Sequence, residues 1–414
     1  MTVDSTIKSI LPGSGTLDSV GMSVLQGIDD RWPLSERERH LIELVKGIVV
    51  DRIQPNAEKY DQSAEFPSDN LNALARIGCN RLFIPEAYGG TSASYLCLLR
   101  VVEEISRGCP STAISWATTY HAVSPLIRFG THDQKQRYLP QVAAGAVAAL
   151  AITESGGGSD VGAGRTTMRP EGHEVVITGG KLFITNGDVA DLIVVFGKWA
   201  EVTSGSPLTA VIVDRDTPGL VVGKRESKLG HRASSTVELS FDNLRVPDAN
   251  IISGPGEGHR LLLSTLNKSR PTIAAQALGI ARAALDSAVR YTNERNQSDK
   301  RILELQGIQF KIADLAARLV MCRTMLSHVG GLVEEGAAED GIEASMLKVA
   351  ATDLAVESAT TAVQLMGGEG YLSGCGAERL FRDAKVTQIW EGANELHRGR
   401  IGRSFLARKA PVAG

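Results

Sequence analysis

The chain has no excess of charge of either sign, no paired cysteines and no long hydrophobic run. Its 44 Lys and Arg against 47 Asp and Glu leave a formal charge of −3. That balance lacks the basic face a nucleic-acid binder needs. The five cysteines (Cys79, Cys97, Cys109, Cys322 and Cys375) form no C-x-x-C pair, and the eight histidines form no H-E-x-x-H. A disulfide framework or a zinc site needs closer spacing, so a reduced, cytoplasmic, metal-free protein is expected. The longest apolar stretch, Val142 to Ile152, covers 11 residues. A membrane-spanning helix needs ~20. The first residues read as neither a secretory signal nor a transit peptide. G-x-G-x-x-G, G-x-x-x-x-G-K-[ST] and G-x-S-x-G are all missing. A Rossmann site, a P-loop and a serine-hydrolase elbow are therefore unsupported.

What is present is an α, then β, then α order in 414 residues. Residues 1–33 read as a leader without sustained period. From 34 to 150 the pattern is helical: Ser35 is placed as an N-cap, and Leu41, Leu44, Val45, Ile48 and Val49 form one apolar stripe. Between 151 and 254 the character is β. Short runs at Val175–Ile177, Leu192–Phe196 and Thr209–Val213 are joined by a period-two segment, Thr236 to Asp242. These predict an antiparallel β-domain. From 255 to 414 the helical period returns in three long segments, Arg270–Glu294, Leu305–Gly330 and Ile342–Met366. Pro271 is expected near a helix start, and Gly367-Gly368 is expected to end the third segment.

Two strings point to a site. AITESGGGSD (151–160) sets three glycines between Thr153 and Ser159, a backbone that a flat ring or a phosphate can approach. By itself it also reads as an interdomain hinge. KLFITNG (181–187) by itself reads as a strand ending in a turn.

Taken together and in order, AITESGGGSD, KLFITNG, KLGHRASST with FDNLRVP, NKSRPTIAAQALGIARAALDSAVRYTNER, QLMGGEGY, LFRDAK and IWEGANELHRGRIGR closely resemble the acyl-CoA dehydrogenases. FPSDNLNALARIGCNRLFIPEAYGG resembles the N-terminal part of that family, so the resemblance spans roughly residues 34 to 407. It implies an α+β fold of N-terminal helical domain, middle β-domain and C-terminal four-helix bundle, with FAD as cofactor. It also implies a homodimer or homotetramer and an electron-transfer acceptor. The implied reaction is α,β-dehydrogenation of an acyl thioester, most simply acyl-CoA. A carrier-bound acyl or aminoacyl thioester, and an oxygen-using acyl oxidase of the same fold, are the alternatives.

Carried over residue by residue, the resemblance makes Glu391 of Trp390-Glu391-Gly392 the base that removes the α-proton. Some relatives place the base just before the arginine of the LNKSR segment. That position is Ser269, which cannot act as one. The resemblance implies substrate contacts at Ser159, Arg270 and Gly392. For FAD it implies Ile152, Thr153, Ser159, Phe183, Ile184 and Thr185 around the flavin. Arg295, Gln306, Phe310, Gln364, Gly367 and Gly368 would serve the diphosphate and adenosine half, Arg295 from a neighbouring subunit, and Ala393, Asn394 and Glu395 follow the catalytic loop. Ser298-Asp299 stands where the family usually has Phe-Gly, and an acidic residue is unfavourable beside a pyrophosphate.

Overall fold

The computed structural model describes residues 34–158, 161–202, 205–337 and 341–406. The leader at 1–33 lies outside them. Helix α1 (Glu36–Ile48) begins on a capping box: the Ser35 hydroxyl accepts the Glu38 N–H, and the Glu38 carboxylate accepts the Ser35 N–H. A π-helical turn, Val49–Ile53, leads into α2 (Gln54–Ser63). Then come α3 (Ser68–Arg76), α4 (Tyr95–Gly108), α5 (Pro110–Phe129) and α6 (His132–Ala144).

The β-domain contains β1 (Ala148–Ala151), β2 (Thr167–Glu171), β3 (Glu174–Thr185), β4 (Leu192–Trp199), β5 (Leu208–Asp214), β6 (Leu220–Arg225), β7 (Thr236–Pro247) and β8 (Ile251–Ile252). The strand order is β6-β7-β3-β2-β4-β5-β8, with β1 added beside β4. The sheet is antiparallel as expected, except that β1 and β2 each run parallel to β4. Period two reports which face a side chain takes and says nothing of strand direction. It also explains why β1, β4 and β5 are continuous apolar runs, since both faces are covered. Ala148, Leu192, Val194, Phe196, Ala210 and Ile212 pack with α5 and α6. Ala149, Ala151, Ile193, Val195, Val211 and Val213 fill the second core, against β3 and β7.

The C-terminal part consists of α7 (Gly258–Glu294), α8 (Gln306–Glu334), α9 (Ile342–Tyr371), α10 (Ala377–Thr387) and α11 (Asn394–Ser404). Short links make α7, α8 and α9 alternate in direction, and α10 completes the four-helix bundle. One expectation is corrected here. Pro271 lies inside α7 rather than near its start. The turns before it bury Leu261, Leu262 and Thr265, and this packing outweighs the ~3 kcal/mol a mid-helix proline costs. As expected, Gly367 leaves helical geometry (φ 60°, ψ −136°) and ends the long run of α9 after Met366, and a further helical turn carries the chain to Tyr371. The bundle shares one core with α1, α4 and α5, and at its centre the buried Glu103 carboxylate faces Arg100, Arg282 and Arg323.

Among the described residues, no helix is long and apolar enough to cross a membrane. Nor does any group of three or more His, Cys, Asp or Glu side chains there have the placement to hold a metal ion.

Candidate active site

Glu391 lies in the turn between α10 and α11, in the left-handed region at φ 52°, and Gly392 follows at φ 91°. A non-glycine residue there costs about 1–2 kcal/mol, so the turn has to be held from outside. Gly392 cannot carry a side chain, because a Cβ would meet His397 Nε2 at 2.9 Å.

Three groups hold the turn. Lys348, on α9 and fully buried, donates to the Gly392 carbonyl and to Asn394 Oδ1, each at 2.8 Å. Burial pushes its ammonium down to about 8, against the pull of Glu391 and Asp353. His397 Nε2 lies 3.1 Å from the Glu391 carbonyl and donates to it in the tautomer that satisfies that oxygen. Burial lowers His397 to about 4, so the ring is neutral near pH 7. The third group is Ser269 on α7, whose hydroxyl donates to Glu391 Oε2. The Glu391 side chain is thus turned onto α7 and is half-buried.

Arg270 follows Ser269 and is buried, with Nη1 donating to Asn267 Oδ1 at 3.1 Å. Burial and the neighbouring Arg400 hold its guanidinium down at about 10, although Glu391 draws it up. From the N-terminal domain, the buried His121 reaches α7 through Thr272, with Nε2 2.6 Å from Oγ1. The Tyr95 hydroxyl donates to the Lys268 carbonyl.

The β-domain meets this turn through its 228–235 loop. The His231 ring packs edge-on against Trp390 at 5.0 Å, and its main-chain N–H donates to the Asp383 carboxylate. The Ser235 carbonyl of the same loop accepts the N–H of Asn186, next to Thr185. A bulge in the β3–β7 pairing between Lys181 and Ile184 frees Phe183, which turns out at φ 58° with its ring 61% exposed. Ile184 points the other way, into the sheet core, so only its main chain is available to a ligand. Thr153 and Leu182 are joined by a main-chain hydrogen bond of 2.8 Å. The glycine loop has an anchor that sequence reasoning missed. The buried Glu154 carboxylate accepts Lys181 Nζ at 2.6 Å and the N–H groups of Arg165 and Thr166. That clamp fixes both ends of the loop, which makes it more than a hinge. Ser159 lies outside the described residues.

These surroundings fit a flavin. Trp390 Nε1 and Arg270 Nε are buried without a partner among the described residues. Gly156 and Gly158 leave open space where a Cβ would stand, and Phe183 presents an uncovered aromatic face. Of the residues after the base, Ala393 is the N-cap of α11. The Asn394 side chain is committed internally, to Lys348, Thr352 and Asp353. Its main-chain N–H donates to the Gln388 carbonyl at 3.0 Å. Glu395 is exposed, 3.6 Å from Arg398.

The remaining expected cofactor residues lie elsewhere. Arg295 is the C-cap of α7, Gln306 and Phe310 lie in the first turns of α8, and Gln364, Gly367 and Gly368 are near the end of α9. All six are exposed and gather at the far end of the bundle. Arg295 is 25 residues along α7 from Arg270, about 37 Å at ~1.5 Å per residue. Ser298 (φ 57°) and Asp299 form the turn of a small hairpin between β9 (Asn296–Gln297) and β10 (Lys300–Arg301).

Known proteins resemble this chain over most of its length. Three family descriptions match in order: "Acyl-CoA dehydrogenase, N-terminal domain" over residues 35–146, "middle domain" over 149–244 and "C-terminal domain" over 256–406. The chain is 39% identical over 375 residues to cyclohex-1-ene-1-carbonyl-CoA dehydrogenase of Geobacter metallireducens, covering 90% of this chain and 99% of that protein. It is 41% identical over 367 residues to an acyl-CoA dehydrogenase of Bacillus subtilis, covering 88% and 96%. Among solved structures, a glutaryl-CoA dehydrogenase from Mycobacterium smegmatis in complex with FADH2 superimposes with a TM-score of 0.85 at 28% identity, covering 91% and 96%.

Proposed function

This chain belongs to the acyl-CoA dehydrogenase family of oxidoreductases, and on that premise we propose that it oxidises an acyl-CoA thioester between Cα and Cβ, with Glu391 as the base. The observation that carries the reading is the turn at 391–392. There a carboxylate is held in a strained, externally clamped conformation beside a glycine and a buried arginine, facing the domain boundary.

FAD bound at that boundary supplies the acceptor for the β-hydride. The side chains of Thr153, Phe183 and Thr185 and the main chain of Ile152 and Ile184 would hold the flavin. The main chain of Ala393 and Asn394, with Glu395 beyond it, would border the catalytic end. Gly392 would lie beside the thioester, its Cα kept bare by the packing of His397, Arg270 would supply the cation near the thioester carbonyl, and the family resemblance adds Ser159 to the substrate contacts. Glu391 takes the α-proton on a carboxylate oxygen and holds it while the double bond forms.

Arg295 is too far along α7 to serve the same cofactor as Glu391, and Gln306, Phe310, Gln364, Gly367 and Gly368 lie toward the same end of the bundle. They would grip the diphosphate and adenosine of a cofactor held by a second copy, so the working unit is a homodimer or homotetramer. The guanidinium fork of Arg295 suits a diphosphate. An electron-transfer protein is the expected acceptor.

The test is Glu391→Gln in the flavin-loaded enzyme. The variant should stay yellow, yet lose ~10²–10⁴ in the rate of anaerobic flavin bleaching by acyl-CoA. Bleaching at near wild-type rate would remove Glu391 from the reaction. Turnover with carrier-bound thioesters but not with CoA thioesters would reassign the substrate class.

A further inference from the structure

Ser269 occupies a buried position on α7, 1% exposed, with two acceptors in range of its hydroxyl. One is Glu391 Oε2, and the other is the Leu266 carbonyl, at 3.4 Å. A hydroxyl has one proton to donate, and an ionised carboxylate is the stronger acceptor. The helix around Ser269 is itself pinned. The Thr272 hydroxyl donates to the Ser269 carbonyl at 2.6 Å, and His121 Nε2 meets Thr272 Oγ1 from α5.

We propose that Ser269 is the positioning residue of the base: its hydroxyl donates to Oε2 of Glu391 and leaves Oε1 to receive the substrate α-proton. The inference rests on Glu391 being the base. The balance is simple. The Cα–H bond breaks, its proton forms an O–H bond at Oε1, and the electron pair stays with the substrate for the double bond. The serine proton never leaves its oxygen. The carboxylate is thereby aimed, and the neutral acid that forms keeps a compatible neighbour because its unprotonated Oε2 still accepts from the hydroxyl.

Other charged or titratable groups also face Glu391: Arg270 on α7 with Arg400 beside it, Lys348 on α9, His397 on α11 and His121 on α5. His121 is kept neutral by burial. Beside these groups, Ser269 is bonded to the carboxylate itself.

The experiment uses the flavin-loaded enzyme and two readouts across pH. One is anaerobic flavin reduction by an acyl-CoA. The other is deuterium incorporation at the α-carbon of acetyl-CoA, which has no β-hydrogen and so reports proton abstraction alone. Ser269→Ala should slow both roughly tenfold near neutral pH. It should also move their acid limbs about one unit to higher pH, because a donor to the charged form has been lost. Ser269→Thr, which keeps the hydroxyl, should follow the wild type. Should Ser269→Ala lose its flavin, Ser269→Gly carries the same expectation. Superimposable profiles in the hydroxyl-less variant would overturn the proposal, as would a threonine variant that falls as far as the alanine one. Glu391→Gln separates the two claims: full exchange in that variant sinks the base assignment, whatever the serine variants do.

Discussion

Lys348→Met separates the hold on the catalytic turn from the stability of the fold. Methionine is close in length to lysine and fits an interior in which the Lys348 side chain is already fully buried. The substitution removes two charge-assisted hydrogen bonds, to the Gly392 carbonyl and to Asn394 Oδ1. At about 1.5–3 kcal/mol each, they are worth roughly 3–6 kcal/mol. Against this stands the relief of a buried cation. The ammonium titrates at about 8 in the folded chain against 10.5 in the unfolded one, a penalty of about 3 kcal/mol. The two nearly offset, so the thermal midpoint should fall by only a few degrees.

The turn is affected differently. Glu391 at φ 52° would keep the His397 contact at its carbonyl and the Asn394 N–H to Gln388 carbonyl bond, but lose the clamp on Gly392. A displacement of ~1 Å at a reacting group costs on the order of 10²-fold, so flavin reduction should slow by ~10–100-fold with flavin content unchanged. The pH dependence has a definite sign. Because the folded value lies below the unfolded one, the penalty is fully present below pH ~8. It is relieved between about 8 and 10.5, where the unfolded chain holds more protons and stability rises with pH. Over the same window the clamp weakens to that of a neutral amine. Reduction by the wild type should therefore fall above pH ~8, and Lys348→Met should lack that limb. Stopped-flow reduction across pH 6–10, with thermal scans on the same samples, decides the matter. A methionine variant with wild-type rates and an intact alkaline limb would refute the reasoning.

Glu103→Gln should lower stability by about 3–5 kcal/mol, since it removes the buried carboxylate that pairs with Arg100, Arg282 and Arg323, Arg282 keeping its second pair to Glu104. Burial would raise this carboxyl, but the three arginines hold it down at about 2. Its contribution is present above pH ~4.5 and is lost as pH falls through ~2, so acid unfolding should be shallower in the variant. A melting midpoint within 1 °C of the wild type would contradict this. Arg295→Ala should lower flavin content while leaving the reduction rate per bound flavin unchanged. Unchanged flavin content after gel filtration would remove Arg295 from cofactor binding.

Much of the architecture was legible because hydrophobic period is a local property. The α–β–α order follows from switches between period 3.6 and period 2, and the Ser35 capping box formed where a serine precedes Glu38 by three residues. What escaped depends on contacts between distant segments. Pro271 looked like a helix start because proline penalises a helix locally, whereas the packing of Leu261 and Leu262 that overrides it is tertiary. Glu154 and Lys181 are 27 residues apart, and nothing in that spacing marks them as a buried pair. Ser269 was set aside as chemically inert, and its hydrogen bond to a carboxylate 122 positions on was invisible.

Lys348 did leave a signal. Ser345, Lys348 and Thr352 fall at i, i+3 and i+7 among the mostly Ala and Leu residues of the buried face of α9, and all three are fully buried. A polar stripe on an apolar face needs polar partners, and Asn394, Gly392 and His397 are those partners. The six residues at the far end of the bundle make the complementary point. They recur in the right order along the chain, yet order carries no information about whether residues meet within one copy or across two. The resemblance already assigns Arg295 to a neighbouring subunit, and the length of α7, which puts Arg295 about 37 Å from Arg270, supplies the geometric reason.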